Sequence, residues 1–490
     1  MKTRYKLILL SVLPFTMVSC SYSGRNYTYQ PNNSEREIAN SYIANNSKNN
    51  SANSGLKEND FVDASKVHTS NISLTSSTFS YPMVREQINK GSLYTAKQNL
   101  RTEEVLNYFT YGYVNDTDDA LTTRLELDEC PWNPEHSLAS VVVKAKPAIT
   151  DDIKNNIVIL IDRSGSMREK LSLVKASLTT LVNNLGDDDL VSIVSYAATV
   201  AVDKEALSGK DKDELNQYIE DLSAKGTTNG EAGIEKAYEI ATKHFIQNGN
   251  NRVVILTDGD FNVGKVTGAE LGALIEAKAR SNVFLTCVGY RSSEGNDTAH
   301  TLADKGNGNA YYIDDVFEAS KVFEKELGKS LYVVAKDAKC QVEFSDAVSS
   351  FRLLGYETRQ MSDADFEDEK KDAGEIVADH TTVALYELAL KEEYNDDYIF
   401  RTSLRYKKPN SDESVEVLNT KADESVSRRA DYDFMGYVAE YCLTLIDSKY
   451  KALSSYDHLL GRVNQDYIDD AYRDDFMAVV QKSKDLAAKK

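Results

Sequence analysis

One stretch limits what this chain can fold into: Asn156-Ile157-Val158-Ile159-Leu160-Ile161-Asp162-Arg163-Ser164-Gly165-Ser166-Met167. The apolar run 157–161 is too short to cross a bilayer. An unbroken run of this length suits a strand buried on both faces, the kind found in parallel sheets. Leu171, Val174, Leu178, Leu181 and Leu185 then recur at alternating steps of three and four, with Gly186 as the stop, which predicts a helix. In a doubly wound sheet, ligands bind beyond the carboxyl ends of the strands, where Asp162, Ser164 and Ser166 fall. Oxygen donors without sulfur or imidazole suit Mg²⁺, or Mn²⁺ or Ca²⁺, better than zinc.

The alternation continues downstream. Residues 190–196 read as a second buried strand and 199–202 as a short antiparallel edge, while 215–222 and 230–245 read as helices. Further strands are predicted at 253–256, 283–288 and 310–313, with helical segments between them. Strands and helices alternating at these lengths specify an α/β fold with an open, mostly parallel sheet covered on both faces. Its bounds are set at 153–335.

Two later segments reinforce the strand-end triplet. Asp162-x-Ser164-x-Ser166 after a hydrophobic strand resembles the metal-ion-dependent adhesion site of von Willebrand factor A domains. Gly226-Thr227-Thr228-Asn229-Gly230 is similar to the loop that supplies that family's threonine, matched here by Thr228. Val253-Val254-Ile255-Leu256-Thr257-Asp258-Gly259 resembles the strand that ends in its second aspartate. The resemblance implies a Mg²⁺ seat made by Asp162, Ser164, Ser166, Thr228 and Asp258. The chemistry gives that implication a use: neutral hydroxyls leave the ion's charge poorly balanced, so a carboxylate from another molecule is a natural sixth ligand. Helix capping is the competing explanation for Asp162 and the serines, although it does not account for Thr228 and Asp258. Arg163 reads as a rim residue, and Asp260, two residues beyond Asp258, as a side chain pointing outward, with an accessory water-holding role as the alternative.

The flanks place this module in context. Lys2, Arg4 and Lys6 precede the apolar run 7–13, the pattern of an export signal over residues 1–20. Met17-Val18-Ser19-Cys20 resembles a bacterial lipoprotein processing box, which implies a lipidated Cys20, anchorage in the cell envelope and, with Ser21 following, an outer-membrane address. Residues 21–75 are rich in Asn and Ser and are expected to form a disordered tether. Residues 76–150 begin with helical spacing and continue as strand candidates around Cys130-Pro131-Trp132, with Trp132 as a packing anchor. Cys340, Val342 and Phe344 open a period-two pattern over 336–424, which together with 121–143 predicts an antiparallel sandwich beside the inserted α/β module. Residues 425–490 read as helical. The segments from Tyr81 to Trp132 and from Lys370 to Tyr386 resemble the terminal regions of one bacterial lipoprotein subfamily that carries A domains.

Composition narrows the function. A formal net charge of −20, from 57 basic and 77 acidic side chains, argues against a nucleic-acid-binding role, which needs a concentrated basic face. The five cysteines form no CxxC pair; Cys287 reads as a buried hydrophobe, and the pairing of Cys130, Cys340 and Cys442 is left open. There is no HExxH, GxSxG or phosphate-loop motif, so the expectation is a binding protein rather than an enzyme. The sequence therefore points to a lipid-anchored protein that captures an acidic residue of a protein partner. A scaffold whose metal only stabilises it is the alternative, and a metal-dependent hydrolase stands third.

Overall fold

The structure, a computed structural model, describes residues 57–147, 153–225, 230–258, 275, 282–290, 309–326, 332–393, 398–409, 411, 413–419, 428–463 and 470–489. The signal segment, Cys20 and most of the expected tether lie outside the described residues.

The apolar run forms the strand Asn155–Asp162, every residue of it buried. It pairs in parallel with Leu190–Tyr196 on one side and Asn250–Thr257 on the other. Phe284–Tyr290 and Asn309–Ile313 extend the parallel sheet, and Val200–Ser208 closes the other edge antiparallel, longer than the expected 199–202. Successive side chains serve opposite faces. Ile157, Ile159 and Ile161 pack with Val174, Leu178 and Leu181 of the helix Leu171–Asn183. Val158 and Leu160 pack with Ile234, Ala237 and Ala241 of the helix Gly230–Lys243. The α/β class expected for this module is the one observed.

The flanking segments build a second body in three layers. Leu121–Glu129, Ser137–Ala145, Val348–Leu354 and Thr381–Leu390 form an antiparallel sheet with Val62–Asp63 at its edge. One face of it, through Ala139, Val141, Val143 and Tyr386, packs on a second antiparallel sheet centred on Val333–Phe344. The other face, through Leu138, Val142, Val383 and Leu385, is covered by helices. Those helices come from both ends of the chain: Ser80–Asn89 and Thr102–Tyr108 pack with Arg429–Ile446 and Ala471–Ala487. Trp132 is fully buried in this core, and its indole N–H donates to Glu387 Oε2 at 3.1 Å. Cys130, Cys287, Cys340 and Cys442 are all free and buried thiols.

Two expectations need correction. Order begins well before residue 76, because Thr69–Ser73 is a strand inside the second sheet, paired with Val333–Phe344 and Gln360–Met361. Composition hid it: only Ile72 looks like core, and the polar residues are satisfied by partners almost 300 positions away. Asn71 Nδ2 and Thr69 Oγ1 both donate to Asp363 Oδ1, at 2.7 and 3.0 Å. The A-domain boundary at 335 also falls inside an element, since the strand Val333–Phe344 belongs to the sandwich.

The bodies meet through a buried cluster around Arg85. Its guanidinium donates to Asp314 Oδ2 at 2.8 Å and Oδ1 at 2.6 Å, to Glu318 Oε2 at 2.8 Å and to Asp475 Oδ2 at 3.0 Å. Asp314 and Glu318 follow the last strand of the parallel sheet, whereas Arg85 and Asp475 belong to the helical layer. Bidentate pairing with these carboxylates is what makes a buried arginine tolerable.

Glu375, in the strand Gly374–Val377, is the opposite case: among the described residues neither of its carboxylate oxygens has a hydrogen-bond partner. Burial, then repulsion from Asp337 and Asp372, holds its pKa well above the carboxylate range. A raised folded pKa means that folding takes up a proton, so stability falls as pH rises above the ordinary glutamate value. Glu375→Gln should therefore raise the melting temperature, by more at pH 8 than at pH 5, in paired thermal melts.

Candidate functional site

The site is built where adjacent parallel strands end. Asp162 closes its strand opposite Tyr196, and Asp258 directly follows the neighbouring strand Asn250–Thr257. Both carboxylates are nearly inaccessible, with Asp162 0% and Asp258 3% exposed. Asp162 Oδ1 accepts the amide of Ser164 at 2.8 Å, which folds the chain back over the strand end. Ser164 and Ser166 then bring their hydroxyls together, 2.9 Å apart. Below them Met167 is fully buried against the sheet and its helix, pinning the 3-10 turn Gly165–Glu169.

Capping does not account for the serines, although Asp162 does accept a main-chain amide where the turn begins. Ser164 stands at the start of that turn without a side-chain cap bond, and Lys170, which leads into Leu171–Asn183, caps nothing either. The hydroxyls of Ser164 and Ser166 face each other instead.

Burial raises the pKa of Asp162, the Ser164 amide and hydroxyl draw it down, and the nearby Asp258 carboxylate pushes it further up. Two carboxylates held this close in low dielectric favour a cation between them. Among the described residues no three carboxylate, imidazole or thiol side chains converge as a metal cluster, so a cation here would rely on the hydroxyls as well. Their spacing fits. The two hydroxyls are hydrogen-bonded to each other, and their separation is also about that of neighbouring oxygens around one hard cation.

Thr228 and Asp260 lie outside the described residues. The segment leading to Thr228 is nonetheless tied to the motif: Lys225 N donates to Arg163 O at 2.6 Å, and Arg163 Nε donates to Ser223 O at 3.0 Å. Arg163, read from sequence as a rim residue, braces that segment. Beyond the loop, Gly233 lets its helix approach the sheet, since a Cβ there would lie 3.1 Å from Tyr196 and 3.2 Å from Leu160.

Sequence reasoning missed two neighbours. Thr257 is fully buried, and its hydroxyl points at Asp162 Oδ2 from 3.5 Å. Lys170 Nζ pairs with Asp258 Oδ2 at 2.7 Å. Thr257 was findable, as the residue before Asp258 on an adjacent parallel strand. Lys170 was not, because the 3-10 turn alters the helical phase that sequence spacing assumes.

The comparisons cover most of the chain. It is 35% identical over 442 residues to the uncharacterized protein YfbK of Escherichia coli (strain K12), a match spanning 84% of this chain and 77% of that protein. The chain belongs to the YfbK family. Residues 329–486 match the C-terminal region defined for YfbK, 156–325 match the von Willebrand factor type A domain, and 47–140 match a von Willebrand factor family. Inter-alpha-trypsin inhibitor heavy chain H4 of Sus scrofa is 25% identical over 171 residues, which is 32% of this chain and 18% of that one. Among solved structures, a von Willebrand factor type A protein from Catenulispora acidiphila aligns over 68% of this chain and 82% of its own, at 16% identity and a TM-score of 0.41. The sequence expectation of a bacterial A-domain protein is therefore met by this YfbK-family chain.

The packing of Met167 gives a test of how the site loop is held. Met167→Ala should cost about 2–5 kcal/mol of stability, as buried methionine truncations do, measured by chemical denaturation.

Proposed function

We propose that this YfbK-family chain is a lipid-anchored protein of the bacterial envelope whose A domain holds Mg²⁺ and captures an acidic side chain of a protein partner. The carrying observation is the pair of hydroxyls, Ser164 and Ser166, 2.9 Å apart beside the buried carboxylates Asp162 and Asp258. Asp162, Ser164, Ser166, Thr228 and Asp258 are the residues that would hold the ion. When bound, the ion supplies an electrophilic position that a foreign carboxylate completes. The chain's own part is to hold its donors still: Asp162 fixes the Ser164 amide, Met167 anchors the turn, and Arg163 ties in the segment before Thr228.

Anchorage is proposed through lipidation of Cys20. Among the described residues no helix is long and apolar enough to cross a membrane, and acyl chains on Cys20 are the proposed hold on the envelope. The absence of catalytic motifs supports a binding role over catalysis. Here the ion is a receptor, not a stabiliser.

The test is capture on intact cells by crosslinking, with Mg²⁺ and with chelator. Capture should need the ion and should be lost in Asp162→Ala and Asp258→Ala, both of which keep the native circular dichroism spectrum. Equal capture with and without divalent ion would overturn the receptor reading. A melting shift on chelation with capture unchanged would favour the scaffold reading.

A further inference from the structure

A cation from the motif's own loop stands beside Asp258. Lys170 is the first residue past the 3-10 turn, and its backbone is pinned at both ends: its amide donates to Met167 O at 2.9 Å, and its carbonyl accepts from Leu173 N at 3.0 Å and Val174 N at 3.1 Å. From this fixed base the side chain crosses to the neighbouring strand end, and Nζ lies 2.7 Å from Asp258 Oδ2. The lysine side chain is 17% exposed and the aspartate 2%, so the pair is largely shielded from water while the ammonium keeps a path outward.

We propose that Lys170 is a tethered cation that competes with the divalent ion for Asp258 and so sets the ion concentration at which the site loads. This rests on the reading of the site given above and adds its regulation. The ammonium and a divalent ion cannot share one carboxylate oxygen without strong repulsion in a part-buried place. Uptake of the ion at that carboxylate therefore weakens the hold of the ammonium on Oδ2. Lysine suits that exchange, because its charge is compact and strongly hydrated and its four-carbon stem is flexible, whereas a planar guanidinium would hold the carboxylate bidentately. The outcome is a site that loads at a higher ion concentration than its donors alone would require, with its aspartate paired with a cation in either state.

The experiment uses the full folded chain and Mg²⁺ alone, with uptake followed by titration calorimetry and stability by thermal melts in chelator. Lys170→Met keeps the aliphatic stem and removes the charge. Lys175→Met is the charge control, since Lys175 Nζ bonds the exposed Glu220 carbonyl at 2.6 Å, away from the carboxylates. Lys170→Met should bind Mg²⁺ roughly 10- to 100-fold more tightly, the worth of one charge-assisted hydrogen bond. It should also melt below the unsubstituted protein in chelator, with the gap closing in saturating Mg²⁺, while Lys175→Met binds like the unsubstituted protein. If Lys170→Met binds Mg²⁺ no more tightly than the control, the competitor role is wrong and the site reading stands. If neither the unsubstituted protein nor Lys170→Met takes up Mg²⁺, the site reading falls and the competitor role with it.

Discussion

Two carboxylates buried at neighbouring strand ends need positive charge beside them, and the local architecture answers that need. Asp162 and Asp258 are brought together by parallel pairing, Ile161 opposite Leu256, so their proximity is fixed by the sheet and not by a flexible loop. Burial and mutual repulsion both push Asp162 toward its neutral form. The Ser164 amide and hydroxyl act in the other direction, while the Lys170 ammonium pairs with Asp258. A site assembled from opposing terms of this kind responds strongly to one added cation.

The rest of the chain holds that sheet in place. The parallel module interrupts the second body between Ser137–Ala145 and Val333–Phe344, strands of two sheets facing across one core. Both connections are therefore anchored in the same sandwich. Arg85 adds a third tie, joining Asp314 and Glu318 at the far edge of the parallel sheet to Asp475 of the last helix. Phe79 and Met83, from the same helical region, pack into the core of the parallel sheet beside Tyr312. The two bodies thus share one buried interface.

What the sequence disclosed follows the physics of burial. The run 157–161 was legible because a strand covered on both faces has no polar positions to blur it. The period-two pattern from Cys340 to Phe344 was legible because each side of that sheet has one role. Thr69–Ser73 was opaque, since its order comes from ladder pairing and from Asp363, partners that local composition does not contain. Arg85 was opaque too: on a helix bearing Val84 and Ile88 it reads as solvent face, yet it is 1% exposed among carboxylates far away in the sequence. Of the candidate site, Asp162, Ser164, Ser166 and Asp258 stood out by motif. Lys170 did not, because a 3-10 turn moved it onto Asp258.

That lysine also bears on whether the ion stabilises or recruits. A structural cation is most valuable where its removal leaves buried charge uncompensated, for an unpaired buried carboxylate is costly. Here Asp258 has an ammonium 2.7 Å away and Asp162 has the Ser164 amide at 2.8 Å, so neither carboxylate depends on a metal for its only partner. Folding accordingly gains less from the ion than the donor set alone would suggest. Binding a foreign carboxylate is different, because the ammonium is already engaged and the Ser164 and Ser166 hydroxyls are neutral. A doubly charged ion with an open position meets that requirement, and this asymmetry favours the receptor over the stabiliser.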